Sequence, residues 1–194
     1  MKVNTRRAVF EFLSIVVAVV LAMGLTEARQ DYLNKKLAQK SFSNIVEEIR
    51  ENQEDLRSDS ALMAKDRDFM TEWVKAYVNK EKPPRFSVNF RLSILSTAAY
   101  EVAKVNQSLT HLTNEQNMDI AAVYGLQNFY SEKAGGVFDQ MGQLQALARN
   151  PETDEFFKLV QQLRHRLNLV YNTTSAYLKS SEDFLIQHKT ELEE

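Results

Sequence analysis

Residues 12–25 read FLSIVVAVVLAMGL, and residues 26–56 continue TEARQDYLNKKLAQKSFSNIVEEIRENQEDL. The first stretch is apolar on every side. The second is rich in strong helix formers and has neither Pro nor Gly to break it. Together they predict one helix that leaves a membrane and enters water. From Ala8 to Leu25 such a helix spans roughly 27 Å at 1.5 Å per residue. A hydrocarbon core of about 30 Å is crossed at that length with little tilt. The expected organisation is a basic segment 1–7, a transmembrane helix 8–26, a helical bundle 27–188 and a charged tail 189–194.

On the N-terminal side, Lys2, Arg6 and Arg7 crowd against the span, while Arg29, Lys35, Lys36 and Lys40 follow it. The local density on the N-terminal flank favours a cytoplasmic N-terminus. Thr5-Arg6-Arg7 before Ala8-Val9-Phe10 also partly resembles a twin-arginine export signal. Both place the bundle outside the inner membrane. A cleaved signal peptide is the competing reading, with Ala22-Met23-Gly24 as a small-x-small cleavage site. The helix that continues from Thr26 to Leu56 without a linker favours an uncleaved anchor. Glu11 sits one turn into the span. A carboxylate at mid-bilayer costs about 2.5–3.5 kcal/mol, and less near the end. There it can reach headgroups or pair with Arg7, or it can contact a partner helix. Arg6, Arg7 and Glu11 are therefore the candidates for membrane contact and assembly.

The remaining sequence bounds the fold class. Gly 5 and Pro 3 in 194 residues leave few breaks, so an all-α fold is expected, an antiparallel bundle of about four to five helices. Net charge is −2 with both signs interspersed, which gives no electrostatic basis for nucleic-acid binding. A Cys count of 0 excludes disulfides, thiolate metal sites and thiol catalysis together.

After the span, Phe42, Ile45, Ile49 and Leu56 share one face, with Asn52 at the missing step. Ser58-Asp59-Ser60 reads as a break or cap, followed by a stripe of Leu62, Met63, Phe69, Met70, Trp73, Val74 and Tyr77. Pro83-Pro84 marks the clearest loop. Phe86 to Phe90 (FSVNF) alternates and could pass for a short strand; the preferred reading takes Ser87 as a helix cap for a stripe of Leu92, Leu95, Ala99, Val102 and Leu109. Thr113 with Gln116 matches a capping box. The next helix carries Met118, Ala122 and Phe129, and Gly135-Gly136 is expected to kink or interrupt it, which makes them hinge candidates. Asn150-Pro151-Glu152 reads as a helix start. Phe156, Val160, Leu163, Leu167, Val170, Thr174, Tyr177, Ser181 and Phe184 then recur at alternating steps of four and three. That unbroken register is the expected bundle seam, facing Ile45/Ile49 and Leu95/Val102.

Chemistry-bearing residues are sparse. His111, His165 and His188 lie apart from one another and from paired carboxylates, so no metal site is expected. The run Glu47, Glu48, Glu51, Glu54 and Asp55 reads as a solvated helix face. No phosphate-binding loop, dinucleotide fingerprint or nucleophile elbow occurs, and no catalytic residue or cofactor is expected. Phe69, Trp73, Tyr77, Phe129, Tyr130, Tyr171 and Tyr177 are expected to be core rather than a ligand pocket.

RRAVFEFLSIVVAVVLAMGL followed by the charged helix, and later STAAYEVAKVNQSLTHL and IAAVYGLQNFY, resemble a widespread group of uncharacterised bacterial single-pass membrane proteins. The Asn-Trp or Gln-Trp often found after their span is missing here. The resemblance implies a membrane-anchored helical domain and carries no known activity. The expected function is a non-catalytic interaction or scaffold protein, with the bilayer and a protein partner or a second copy as its contacts. The alternative is a ligand-sensing extracytoplasmic bundle. A buried polar pocket would favour the sensor, and an exposed apolar stripe the scaffold.

Overall fold

The computed structural model describes residues 5–89, 91–147 and 153–189, with side chains from position 9 onward. The side chains of Arg6 and Arg7, the Asn150-Pro151-Glu152 start signal, and the tail beyond Lys189 lie outside the described residues. Among the described residues there are four α-helices: α1 (Thr5–Val78), α2 (Ala98–Val105), α3 (Asn114–Leu147) and α4 (Asp154–Gln187). A 3-10 turn, Ser108–His111, links α2 to α3. Among the described residues there is no β-strand.

α1 is one helix of 74 residues, roughly 110 Å long at 1.5 Å per residue. Its first turns contain one stretch long and apolar enough to cross a membrane, and none of that stretch is buried within the protein. The next residues, 26–37, are exposed apart from the half-buried Asn34, and the first buried residue among those described is Ala38. The bundle therefore begins about 18 Å beyond the apolar stretch, on a bare helical neck. Local pairing supports this neck: Gln30 Nε2 donates to Asn34 Oδ1 at 2.9 Å, one turn along.

Ser58-Asp59-Ser60 does not break α1. From Ile45 the helix keeps a strict alternation of four and three: Ile45, Ile49, Asn52, Leu56, Asp59, Met63, Asp66, Met70, Trp73, all buried. Ile49, Leu56, Met63 and Met70 hold one heptad position. Asn52, Asp59, Asp66 and Trp73 hold the other. The polar residue that reads as a break is instead a member of a polar ladder.

α4 runs antiparallel to α1. Phe42 meets Phe184 at one end, and Trp73 meets Phe156 at the other, with ring centroids 6.1 and 5.7 Å apart. α3 is antiparallel to α4 and so parallel to α1. Gln187 reaches Glu115, and Gln140 reaches Gln162. The nine seam residues of α4 from Phe156 to Phe184 are each 3% exposed or less. They pack between α1 and α3. Val102 does not face them, since it is 60% exposed.

Two parallel helices need a long return connection, and here its first part is not helical. The described residues between Val78 and Ala98 are non-helical, so the helix expected from Ser87 begins only at Ala98. Trp73 binds Pro84, and Asn52 binds Ser96. The α1 residues between those ends span roughly 31 Å, which leaves about 2.6 Å for each strap residue. That is well above the roughly 1.5 Å of a helix and about three-quarters of a fully extended chain. The strap lies between α1 and α3 and takes the place of a fourth long helix.

α3 passes through Gly135 and Gly136 as continuous helix, so the expected interruption is not found. Gly136 serves a close approach instead. Arg166 Nη1 donates to its carbonyl at 2.9 Å, and an added Cβ would lie 2.5 Å from that nitrogen.

Candidate functional site

An extended segment inside a protein must satisfy its own N–H and C=O groups, because it has no ladder to do so. Side chains of α1 and α3 supply the partners. Asp59 Oδ2 accepts from the Ser93 N–H at 2.6 Å. Asn52 Oδ1 accepts from the Ser96 N–H, and Asn52 Nδ2 donates to the Ser96 carbonyl, each at 2.9 Å. From α3, Gln127 Nε2 donates to the same carbonyl at 2.6 Å. The Tyr130 hydroxyl donates to the Ser93 carbonyl at 3.1 Å. Further along the strap, the Asn89 N–H lies 3.3 Å from Asp66 Oδ1. Trp73 Nε1 donates to the Pro84 carbonyl at 3.0 Å.

The spacing explains the register. Seven helical residues advance roughly 10 Å, which three or four extended residues also cover. Asn52, Asp59 and Asp66 therefore meet Ser96, Ser93 and Asn89 in turn. Leu92 and Leu95 of the strap point inward and are 8% and 7% exposed. Ile94, between them, points to solvent and is 94% exposed.

Glu48 closes this arrangement. It lies in the acidic run expected to be solvated, but it is buried, unlike its neighbours Glu47, Glu51, Glu54 and Asp55. Its Oε2 accepts from the Ser96 hydroxyl at 2.6 Å and from the Ala99 N–H at 2.9 Å. Its Oε1 accepts from the Tyr124 hydroxyl at 2.5 Å. The N-cap of α2, Thr97, makes no side-chain cap, so a carboxylate from α1 caps α2 instead. Negative charge at a helix N-terminus is favourable.

The electrostatics follow burial. Desolvation raises Asp66 above its ordinary value, and the Asn89 N–H opposes this in part. Tyr124 is pushed far above the ordinary tyrosine range by burial first and the Glu48 carboxylate second. Burial does the same to Tyr130, helped by the Asp59 charge, and to Tyr177. Asp59 is fully buried, and Arg91 Nε lies 3.1 Å from its Oδ1.

Among the sequence candidates, Tyr130 and Tyr177 join this polar layer, while Phe129 is 46% exposed and stands outside the core. His165 lies with Arg166 on the outer surface, beside a shallow groove between α3 and α4. His188 is buried, with Nε2 3.0 Å from Asp119 Oδ2. No group of three or more metal-ligating residues occurs among the described residues. The signal for the missed residues was present, since Asn52, Asp59 and Asp66 are heptad-spaced polar residues within an otherwise apolar seam. No protein-family model, curated protein or solved structure matches the chain.

Proposed function

We propose that this chain is a single-pass, membrane-anchored interaction protein without catalytic activity of its own. Its bundle is held off the bilayer on the bare neck of α1. The observation that carries the reading is the continuity of α1, in which one helix includes the apolar stretch, the exposed neck and the first seam of the bundle. A rigid connection of that kind fixes the height and orientation of the bundle relative to the membrane, which suits a protein that presents a surface to a partner. The positive charge of Lys2, Arg6 and Arg7 supports a cytoplasmic N-terminus and a bundle outside the inner membrane. Glu11 is the residue of the span best suited to a polar contact with a partner helix or a second copy.

The buried layer of Glu48, Asn52, Tyr124 and Gln127 is the feature that favours a ligand-sensing bundle. Its groups hydrogen-bond to one another and to the strap, which supports a structural role for the layer and the interaction reading over the sensor. Photocrosslinking in intact membranes tests the proposal, with a photoreactive residue placed at Tyr32 of the neck or at Ile94 of the strap. A discrete protein adduct is expected. Adducts to lipid alone at both positions would contradict it. The topology is tested with a single cysteine at the exposed Ser58 in this cysteine-free chain. Labelling of intact cells by an impermeant thiol reagent is expected, and protection until lysis would place the bundle on the cytoplasmic side.

A further inference from the structure

We propose that the groove between α1 and α3 is a binding site for an extended peptide segment, held shut by the strap as its resident ligand. The contacts themselves point to this. Asp59, Asn52 and Glu48 of α1 accept from the N–H groups of Ser93, Ser96 and Ala99. Tyr130 and Gln127 of α3 donate to the carbonyls of Ser93 and Ser96. These partners on the strap and at the start of α2 are main-chain atoms; two strap side chains add to them, the Ser96 hydroxyl on Glu48 and Arg91 on Asp59. A groove that reads mostly main chain accepts an extended segment whose inward side chains fit. Here the inward pair is Leu92 and Leu95, three residues apart, with a small residue after each. The ligand class is therefore an extended protein segment with apolar residues at i and i+3, each followed by a small residue.

The resident segment is built to come away. Lys80 and Gln107 flank the strap and α2, and they are the non-glycine residues with positive φ among those described, at 59° and 58°. Both hold the left-handed conformation that non-glycine residues rarely take. These two turns set the strap and α2 off from the long helices on either side. When it lifts, it uncovers polar groups that water can solvate, including the fully buried Asp59 carboxylate. The groove offers the incoming segment the same groups.

The test uses the full chain in detergent and a fluorescent peptide with the sequence of residues 84–98. The seated strap competes with any peptide, so apparent affinity is reduced by the fraction of open groove. Replacing Leu92→Ser and Leu95→Ser in the chain weakens the seated strap. The peptide is expected to bind this variant about tenfold more tightly than the parent. A control peptide carrying the same two serines is expected not to bind. Absence of binding to a variant that keeps its helical circular dichroism would overturn the proposal, as would equal binding of the control peptide. If the variant does not fold, hydrogen exchange on the parent decides. The Ser93, Ser96 and Ala99 amides are expected to exchange by a denaturant-independent opening, ahead of those of Leu163 and Leu167. Exchange of both groups only through global unfolding would overturn it. The proposal rests on reading the chain as an interaction protein. A partner still crosslinked in membranes after the peptide test has failed would sink the groove and leave that reading standing.

Discussion

Asn52 pairs with Ser96 through both ends of its side-chain amide, donating to the carbonyl and accepting from the N–H at 2.9 Å each. The amide of a helical residue thus stands in for a neighbouring strand. Asn52→Ala would leave the Ser96 N–H without its acceptor in a part-buried site, a loss of about 1–3 kcal/mol. Asn52→Leu should be no better, because the strap's polar groups remain. Chemical denaturation followed by circular dichroism measures both. A change under about 0.5 kcal/mol for either variant would mean that the strap is not held through this residue.

Asp66 should behave in the opposite way. Its pKa is raised by burial, so the ionised form is disfavoured in the folded state. The linkage sign follows: stability is fully present below the ordinary value of 3.8 and declines as pH rises through the raised folded value. Asp66→Asn keeps an acceptor for the Asn89 N–H and removes the charge. It should be neutral to stabilising at pH 7 and should flatten the stability profile through the weakly acidic range. Denaturation midpoints of the parent and the variant across that range check this. A variant less stable than the parent at neutral pH would contradict the assignment.

The three buried tyrosines make an alkaline prediction. Tyr124, Tyr130 and Tyr177 are held above the ordinary value of 10.0. Their contribution is fully present below that pH and is lost as pH climbs toward the raised folded values. The bundle should therefore lose stability steeply above about pH 10, with phenolate absorbance from these residues appearing only as helicity is lost. Ionisation of all seven tyrosines in a still-helical protein would contradict the burial of the layer.

Gly135 has open space around its missing Cβ, and helix α3 passes straight through it. Gly135→Ala should stabilise the protein by roughly 0.5–1 kcal/mol through helix propensity alone. Gly136→Ala should gain less, because it displaces the Arg166 guanidinium from its 2.9 Å hydrogen bond. Thermal denaturation of the two single variants separates them. Destabilisation by Gly135→Ala would indicate a conformation that needs glycine, as the sequence alone had suggested.

The legible parts of this molecule are those where apolar residues repeat. The α4 seam from Phe156 to Phe184 could be read because its sequence period is the period of its packing. The α3 start was legible from Thr113 and Gln116, which form the reciprocal cap: Gln116 Oε1 accepts from the Thr113 N–H, and Thr113 Oγ1 accepts from the Gln116 N–H. The strap was not legible. Leu92, Leu95, Ala99 and Val102 fit a helical stripe by spacing, and nothing local shows that Ser93 and Ser96 find partners 34 and 44 residues away. Asp59 between two serines looks like a turn in isolation. Its role emerges only when its heptad relation to Asn52 and Asp66 is counted along with the apolar residues. Glu48 was hidden in the same way, as one buried carboxylate within a run of solvated ones.

Anchoring requires that the apolar stretch stay part of the mature protein, joined to the bundle through α1. Intact-mass spectrometry of the protein extracted from the membrane fraction tests it most directly. The expected mass includes residues 8–25. A mature chain beginning near Leu25 or Arg29 would show that the stretch is removed as a signal, and the bundle would then not be anchored by it.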